Sequence, residues 1–237
     1  ARPSAADYAA GRLAVIVADG RFVWLNVETG RLESSNFLWP SPARGDSWGE
    51  VYADLGVAVV AARETSLSDE TGLPKTRARL VVFDAQGEEL WALPELGTQH
   101  FYSAALTSGS VLVGTYHGFD ENMLGAYELF TGNKLWSVAD EAASFRQIVH
   151  DGTRMYVLVN DAEGGGVACL DLRTGDELWR WNAPDLVQPD RVALGESDLY
   201  VLSVNATYAL DRAEGTVTWT LPFDIAPEAG LATYGSL

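Results

Sequence analysis

The apolar residues of this chain fall into short runs of strand composition at residues 13–17, 57–61, 111–115, 155–159 and 199–203. Successive runs begin about 44 residues apart, except where an insertion stretches the second module. Turn residues stand ahead of them, as in Ser108-Gly109-Ser110, Asp151-Gly152-Thr153 and Gly195-Glu196-Ser197, and read as hairpin connections from a preceding strand. Downstream of each run a phrase recurs. It is CLDLRTGDELW at 169–179, AYELFTGNKLW at 126–136 and ALDRAEGTVTW at 209–219. VFDAQGEELW at 82–91 is one residue shorter in the turn, and LNVETGRLES at 25–34 has lost the tryptophan.

The spacing inside the phrase has a mechanical reading. Gly30, Gly87, Gly132, Gly175 and Gly215 supply the positive φ of a turn between a third and a fourth strand, and the preceding Asp or Thr can hydrogen-bond the turn amides. Four residues later Trp91, Trp136, Trp179 and Trp219 present a large apolar face to the next unit. A small four-stranded sheet cannot bury both faces alone, and sheets of about 40 to 45 residues stack radially. The pattern therefore predicts an all-β fold, a β-propeller of four-stranded antiparallel blades with about five blades; a segment of a larger seven- or eight-bladed ring is the alternative. Tandem β-sandwiches would not repeat the turn-to-tryptophan spacing. The expected organisation is a flexible segment over residues 1–10 and a single propeller domain over 11–237, in which the tail 226–237 offers a strand to complete the first blade and remove an open edge.

Charge and cysteine content narrow the function classes. A formal charge of −17 repels nucleic-acid phosphates and anionic lipid surfaces. No apolar stretch approaches the roughly 20 residues of a membrane-spanning helix. With Cys169 as the single cysteine, an internal disulfide and a multi-cysteine zinc site are both excluded, and its apolar neighbours predict a buried thiol.

The Ala-x-Asp-x-x-Thr-Gly-x-x-x-Trp phrase resembles the tryptophan-docking motif of quinoprotein-dehydrogenase-like propellers, a family that includes the outer-membrane assembly lipoprotein of Gram-negative bacteria. The resemblance covers residues 11 to 224 and is specific for fold, less so for function. It implies an extracytoplasmic protein. The dehydrogenases it resembles carry adjacent cysteines against the quinone and an acidic calcium site; Cys169 alone cannot provide the first, so no cofactor is expected.

Uniform Thr-Gly turns define one face of such a propeller as structural. The connections from second to third strand differ in length, as binding loops on a rigid scaffold do. They comprise residues 63–78, 117–122 and 160–166. The candidate partner face therefore contains Asp69, Glu70, Phe119, Asp120, Glu121, Asp161 and Glu163, joined by Trp39 and Trp181 from the links between blades, since interface anchors are enriched in aromatic residues. The alternative for both rings is packing between blades. Asp120, Glu121 and Asn122, or Asp161 with Glu163, carry oxygen ligands suited to a hard cation, but not at the spacing of a calcium hand. His100, His117 and His150 lie in three separate stretches, and no nucleophile elbow or phosphate loop is present. Asn205-Ala206-Thr207 matches a glycosylation acceptor without further support. The expected function is a monomeric, non-catalytic scaffold that binds another protein or peptide. The alternative is a propeller that binds or hydrolyses a saccharide or other small molecule at its axis.

Overall fold

The computed structural model describes residues 3–39, 46–54, 56–67, 72, 74–94, 101–116, 122–140, 143–161, 164–184 and 188–223. Among these residues the chain forms five sheets of four antiparallel strands, each a simple meander. The first sheet holds β1 (Pro3–Ala9), β2 (Arg12–Val17), β3 (Arg21–Asn26) and β4 (Leu32–Phe37); the second β5 (Asp46–Asp54), β6 (Val57–Leu67), β7 (Pro74–Phe83) and β8 (Glu89–Ala92). The third is β9 (Phe101–Leu106), β10 (Ser110–Tyr116), β11 (Asn122–Glu128) and β12 (Lys134–Asp140). The fourth is β13 (Ser144–His150), β14 (Arg154–Asp161), β15 (Gly164–Asp171) and β16 (Glu177–Asn182), and the fifth β17 (Arg191–Leu194), β18 (Asp198–Leu202), β19 (Ala206–Asp211) and β20 (Val217–Pro222). The predicted apolar runs coincide with the second strands.

Burial explains why those runs are continuous rather than alternating. Along β6, Ala58, Val60 and Ala62 face the first sheet with Ile16, Phe22 and Trp24, while Val57, Val59 and Ala61 face the third with Val111 and Val113. A strand covered on both faces needs apolar side chains at every position. The same sandwiching sets Leu112, Leu124 and Ala126 against Phe145, Met155 and Val157, and Tyr156, Leu158 and Cys169 against Val192, Val201 and Tyr208. Within the first seam the Phe22 and Phe83 rings stack at 4.5 Å.

Two expectations change at the ends. The segment expected to be flexible contributes β1, in which Ala6 pairs with Val15 and Tyr8 with Leu13. Its mostly small residues, three of them alanine, hide a strand whose stability comes from pairing with the apolar β2 rather than from its own propensity. The place assigned to the tail is thus taken by β1, and residues 226–237 lie outside the described residues. The first strands of successive sheets lie side by side, from β1 next to β5 through to β13 next to β17. Among the described residues, however, no packed seam joins the fifth sheet back to the first, and Val15, Val17 and Val23 form a small cluster of their own on the outer face of the first sheet.

Candidate functional site

The recurring phrase builds a joint between neighbouring sheets. The indole N–H of Trp91 donates to the Leu129 carbonyl at 2.8 Å, that of Trp136 to Leu172 at 3.0 Å, and that of Trp179 to Arg212 at 3.2 Å. Each acceptor lies three residues before the next sheet's turn glycine. The ring then covers that glycine so closely that a Cβ on Gly132, Gly175 or Gly215 would come within 2.5–2.7 Å of the indole, and all three adopt φ of +70 to +78°. Glycine is required twice over, for the left-handed turn and for the close approach. The turn itself is held by its Asp: Asp171 Oδ1 accepts the Arg173 and Thr174 amides, both at 2.9 Å, and those amides hold the Asp171 carboxyl below its ordinary range.

The first sheet makes the same joint by a different route. Ser34 occupies the position of the missing tryptophan, and Trp24, its cross-strand neighbour on β3, supplies the indole. Trp24 Nε1 donates to the Asp84 carbonyl at 3.0 Å, three residues before Gly87, and the ring is 1% exposed. Asn36 adds a hydrogen bond from its side-chain amide to the Gly87 carbonyl. The fourth strand alone does not reveal Trp24; the signal is a tryptophan ten residues before the vacant position.

The seam between the fourth and fifth sheets carries a further lock. Asp151 accepts the Thr153 and Arg154 amides at 2.9 and 2.8 Å and the Tyr156 hydroxyl at 3.0 Å, and pairs with Arg212. Burial works to raise the Asp151 pKa, but the Arg154 and Thr153 amides with the Arg212 guanidinium outweigh it and hold the group well below the usual carboxylate range. A carboxylate so strongly held as an anion is a structural tie rather than a proton donor. Cys169, in the same seam, is fully buried, and burial pushes its thiol up to about 12; it is an inert core residue.

On the opposite face the two aromatic candidates follow the packing alternative rather than the exposed rim. Trp39 is 3% exposed, donates to Ser47 Oγ at 3.1 Å, and lies under the Arg77 guanidinium at 4.5 Å. Arg77 in turn pairs with Glu64, itself 1% exposed, so Trp39 seals the seam between the first two sheets and offers no exposed ring to a partner. Trp181 is half-buried, its ring 5.0 Å from Tyr208 of the fifth sheet. Both packed where an apolar core had room for them. Asp69, Glu70, Phe119, Asp120, Glu121 and Glu163, with His100 and His117, lie outside the described residues, and Asp161 is described as backbone at the end of β14. His150 Nε2 contacts the Leu106 carbonyl at 2.8 Å. Asn122 is buried at the start of β11.

At the axis a cavity of about 110 Å³ is lined by Glu50 and Tyr52 of β5, Ser103 of β9, Arg146 and Gln147 of β13, and Asp190 with Arg191. Acidic and basic groups balance there, and Arg191 approaches Asp190 at 3.9 Å. A second cavity of about 260 Å³ shares Arg146 and Asp190 with the first, and the lone thiol is sealed in an inter-sheet core rather than in either lining. These residues do not fit a tricyclic quinone held against a cysteine pair.

Radially stacked four-stranded meanders tied by an indole on the next sheet's turn define a β-propeller of tryptophan-docking repeats. The chain belongs to the family described as outer membrane protein assembly factor BamB, whose model matches residues 3–180 and 163–229. No curated protein matches it at a significant level. Among solved structures it is similar to the computationally designed Ika8 protein, at 15% identity and TM-score 0.68, with 92% of this chain and 61% of that one covered. The quinohemoprotein alcohol dehydrogenase ADHIIG from Pseudomonas putida HK5 gives 14% identity and TM-score 0.68, covering 92% and 42%. The quinohemoprotein alcohol dehydrogenase from Comamonas testosteroni gives 14% and 0.62, covering 90% and 42%. The chain thus spans about two fifths to three fifths of those structures, and likeness at such identity establishes the fold.

Proposed function

We propose that the chain is a non-catalytic, extracytoplasmic scaffold that binds another protein, of the class its family's description names, a component of outer membrane protein assembly. The observation that carries this reading is the division of labour between the two faces. The Thr-Gly turns are occupied in holding sheets together, whereas the opposite face carries connections of unequal length, led by the β6–β7 hairpin, whose arms are the longest strands described. With Trp39 withdrawn into a seam, the proposed gripping surface is this hairpin and the other second-to-third-strand connections, whose sequences together carry Asp69, Glu70, Phe119, Asp120, Glu121, Asp161 and Glu163. Lys75 is exposed near the hairpin's end.

A photocrosslinking amino acid at Lys75, compared with one at Asn133 or Asp176 on the Thr-Gly turn face, tests the assignment in cells. Adducts to an envelope protein from position 75 and none from 133 or 176 are expected. Adducts from the turn face alone, or none from either, would refute the proposed surface.

A further inference from the structure

Two cavities meet where the fourth and fifth sheets adjoin. The inner one, of about 110 Å³, reaches across to β5 and β9 and is lined mainly by polar groups. The outer one, of about 260 Å³, is bordered by Arg146 of β13, by Gln188, Pro189 and Asp190 ahead of β17, and by Leu202 and Val204 at the β18–β19 connection. It therefore opens on the face that carries the second-to-third-strand connections. The two linings share Arg146 and Asp190, so the neck between the chambers bears one guanidinium and one carboxylate. The walls are held in place by the backbone around them. The Asp190 amide donates to the Leu202 carbonyl at 2.8 Å, and Gln147 Oε1 accepts the Val192 amide at 2.7 Å. The stretch ahead of β17 is pressed so closely on Gly165 of β15 that a Cβ there would meet Pro189 at 2.7 Å. Ser203 Oγ accepts the Ala206 amide at 3.1 Å and sets the turn that projects Val204, an apolar side chain 60% exposed.

We propose that this crevice binds a free α-amino acid with an apolar side chain, its carboxylate on Arg146, its ammonium on Asp190, and its side chain in the outer chamber against Pro189, Leu202 and Val204. An α-amino acid carries its two opposite charges on one carbon, which suits a cation and an anion that border the same neck. A guanidinium takes a carboxylate through two parallel hydrogen bonds. In the inner chamber Glu50 and Arg191 balance in the same way, so the lining favours a ligand with both charges over a lone anion or cation. Leu202 and Val204 present carbon where the hydroxyls of a sugar would need partners. The inference requires only the crevice, and it stands whether or not the partner-binding reading holds.

Isothermal titration calorimetry of the chain with L-leucine tests it beside three relatives that each lack one element. Isocaproate is leucine without its ammonium, isoamylamine is leucine without its carboxylate, and L-serine keeps the head group without the apolar body; glucose is the neutral polar control. Saturable binding of L-leucine is expected, with isocaproate and isoamylamine each weaker by roughly tenfold or more, the scale of one lost charge-assisted contact. Arg146→Gln and Asp190→Asn should each weaken leucine to a similar degree, and Val204→Ser should narrow the preference for leucine over serine. Thermal melts check that each variant folds, and the comparison of ligands on the wild-type chain needs no variant. In those melts leucine should raise the wild-type melting temperature, since it binds the folded state. No saturable binding of L-leucine overturns the proposal. Isocaproate or isoamylamine binding as tightly as leucine, glucose binding in its place, or an affinity indifferent to both Arg146→Gln and Asp190→Asn overturns it equally.

Discussion

Trp24 and Ser34 show how one residue position can fail while the joint it serves survives. In the third and fifth sheets the residue paired with the motif tryptophan is alanine, Ala126 opposite Trp136 and Ala209 opposite Trp219. The first sheet reverses the arrangement. Trp24→Ala should therefore cost about 3–5 kcal/mol, as large-to-small changes of buried aromatics do, and adding Ser34→Trp should recover most of the loss by restoring the ordinary order. Urea unfolding of the single and double variants measures this; a double variant no more stable than Trp24→Ala would show that the two positions are not interchangeable. Asp151 permits a second test. Its pKa is held low in the folded chain, so its stabilisation is present above the unfolded value of about 4 and is lost as pH falls below it. Melting temperatures should drop more steeply on acidification in the wild-type chain than in Asp151→Asn, and the variant should be less stable by about 2 kcal/mol at neutral pH, the scale of a hydrogen bond to a charged group. Parallel acid profiles would remove Asp151 from the seam's energetics. The phrase itself was legible because its chemistry is local to eleven residues, whereas Trp24 was not, because its role depends on a cross-strand neighbour.

At the scale of the element, the turn and the indole that covers it act as one part. Gly175 and Gly30 occupy equivalent turns, but Gly175 lies under Trp136 while no described residue comes within 4 Å of a Cβ at Gly30. Replacement of either by alanine forces a side chain into the left-handed region at a cost of about 1 kcal/mol. Only Gly175→Ala must also displace an indole, which adds overpacking of roughly 1–3 kcal/mol. Denaturant midpoints should accordingly fall clearly further for Gly175→Ala than for Gly30→Ala, and equal losses would mean that docking contributes nothing. The strands were readable to different degrees for a related reason. Doubly covered β6, β10 and β14 announce themselves as unbroken apolar runs, but β1 is an edge strand of Ser, Ala, Asp and Tyr whose formation depends on a partner elsewhere in the chain. Trp39 and Trp181 carried the opposite ambiguity, since an indole in a linking segment suits a binding rim and an inter-sheet core alike. Only the positions of Ser47, Arg77 and Tyr208 decide between them.

Over the whole molecule the joints form a line of unequal supports. The second, third and fourth sheets are packed on both faces, while among the described residues the first and fifth are each packed on one. In a stack where each unit contacts only its neighbours, stability is close to a sum of unit and interface contributions, so units with one interface open first. Native-state hydrogen exchange in dilute solution should then find the slowest amides in β6, β10 and β14, with β2–β3 and β18–β19 exchanging faster although their hydrogen-bond ladders are equally regular. Trp24→Ala gives the sharper form of the test. It loosens the joint between the first two sheets alone, so exchange should accelerate across β2 and β3 while β14 and β15 keep their protection. A closed ring behaves differently, because every sheet then has two interfaces and loosening one joint spreads its effect to both sides. Uniform protection across all five sheets, with a uniform loss in Trp24→Ala, would therefore indicate closure.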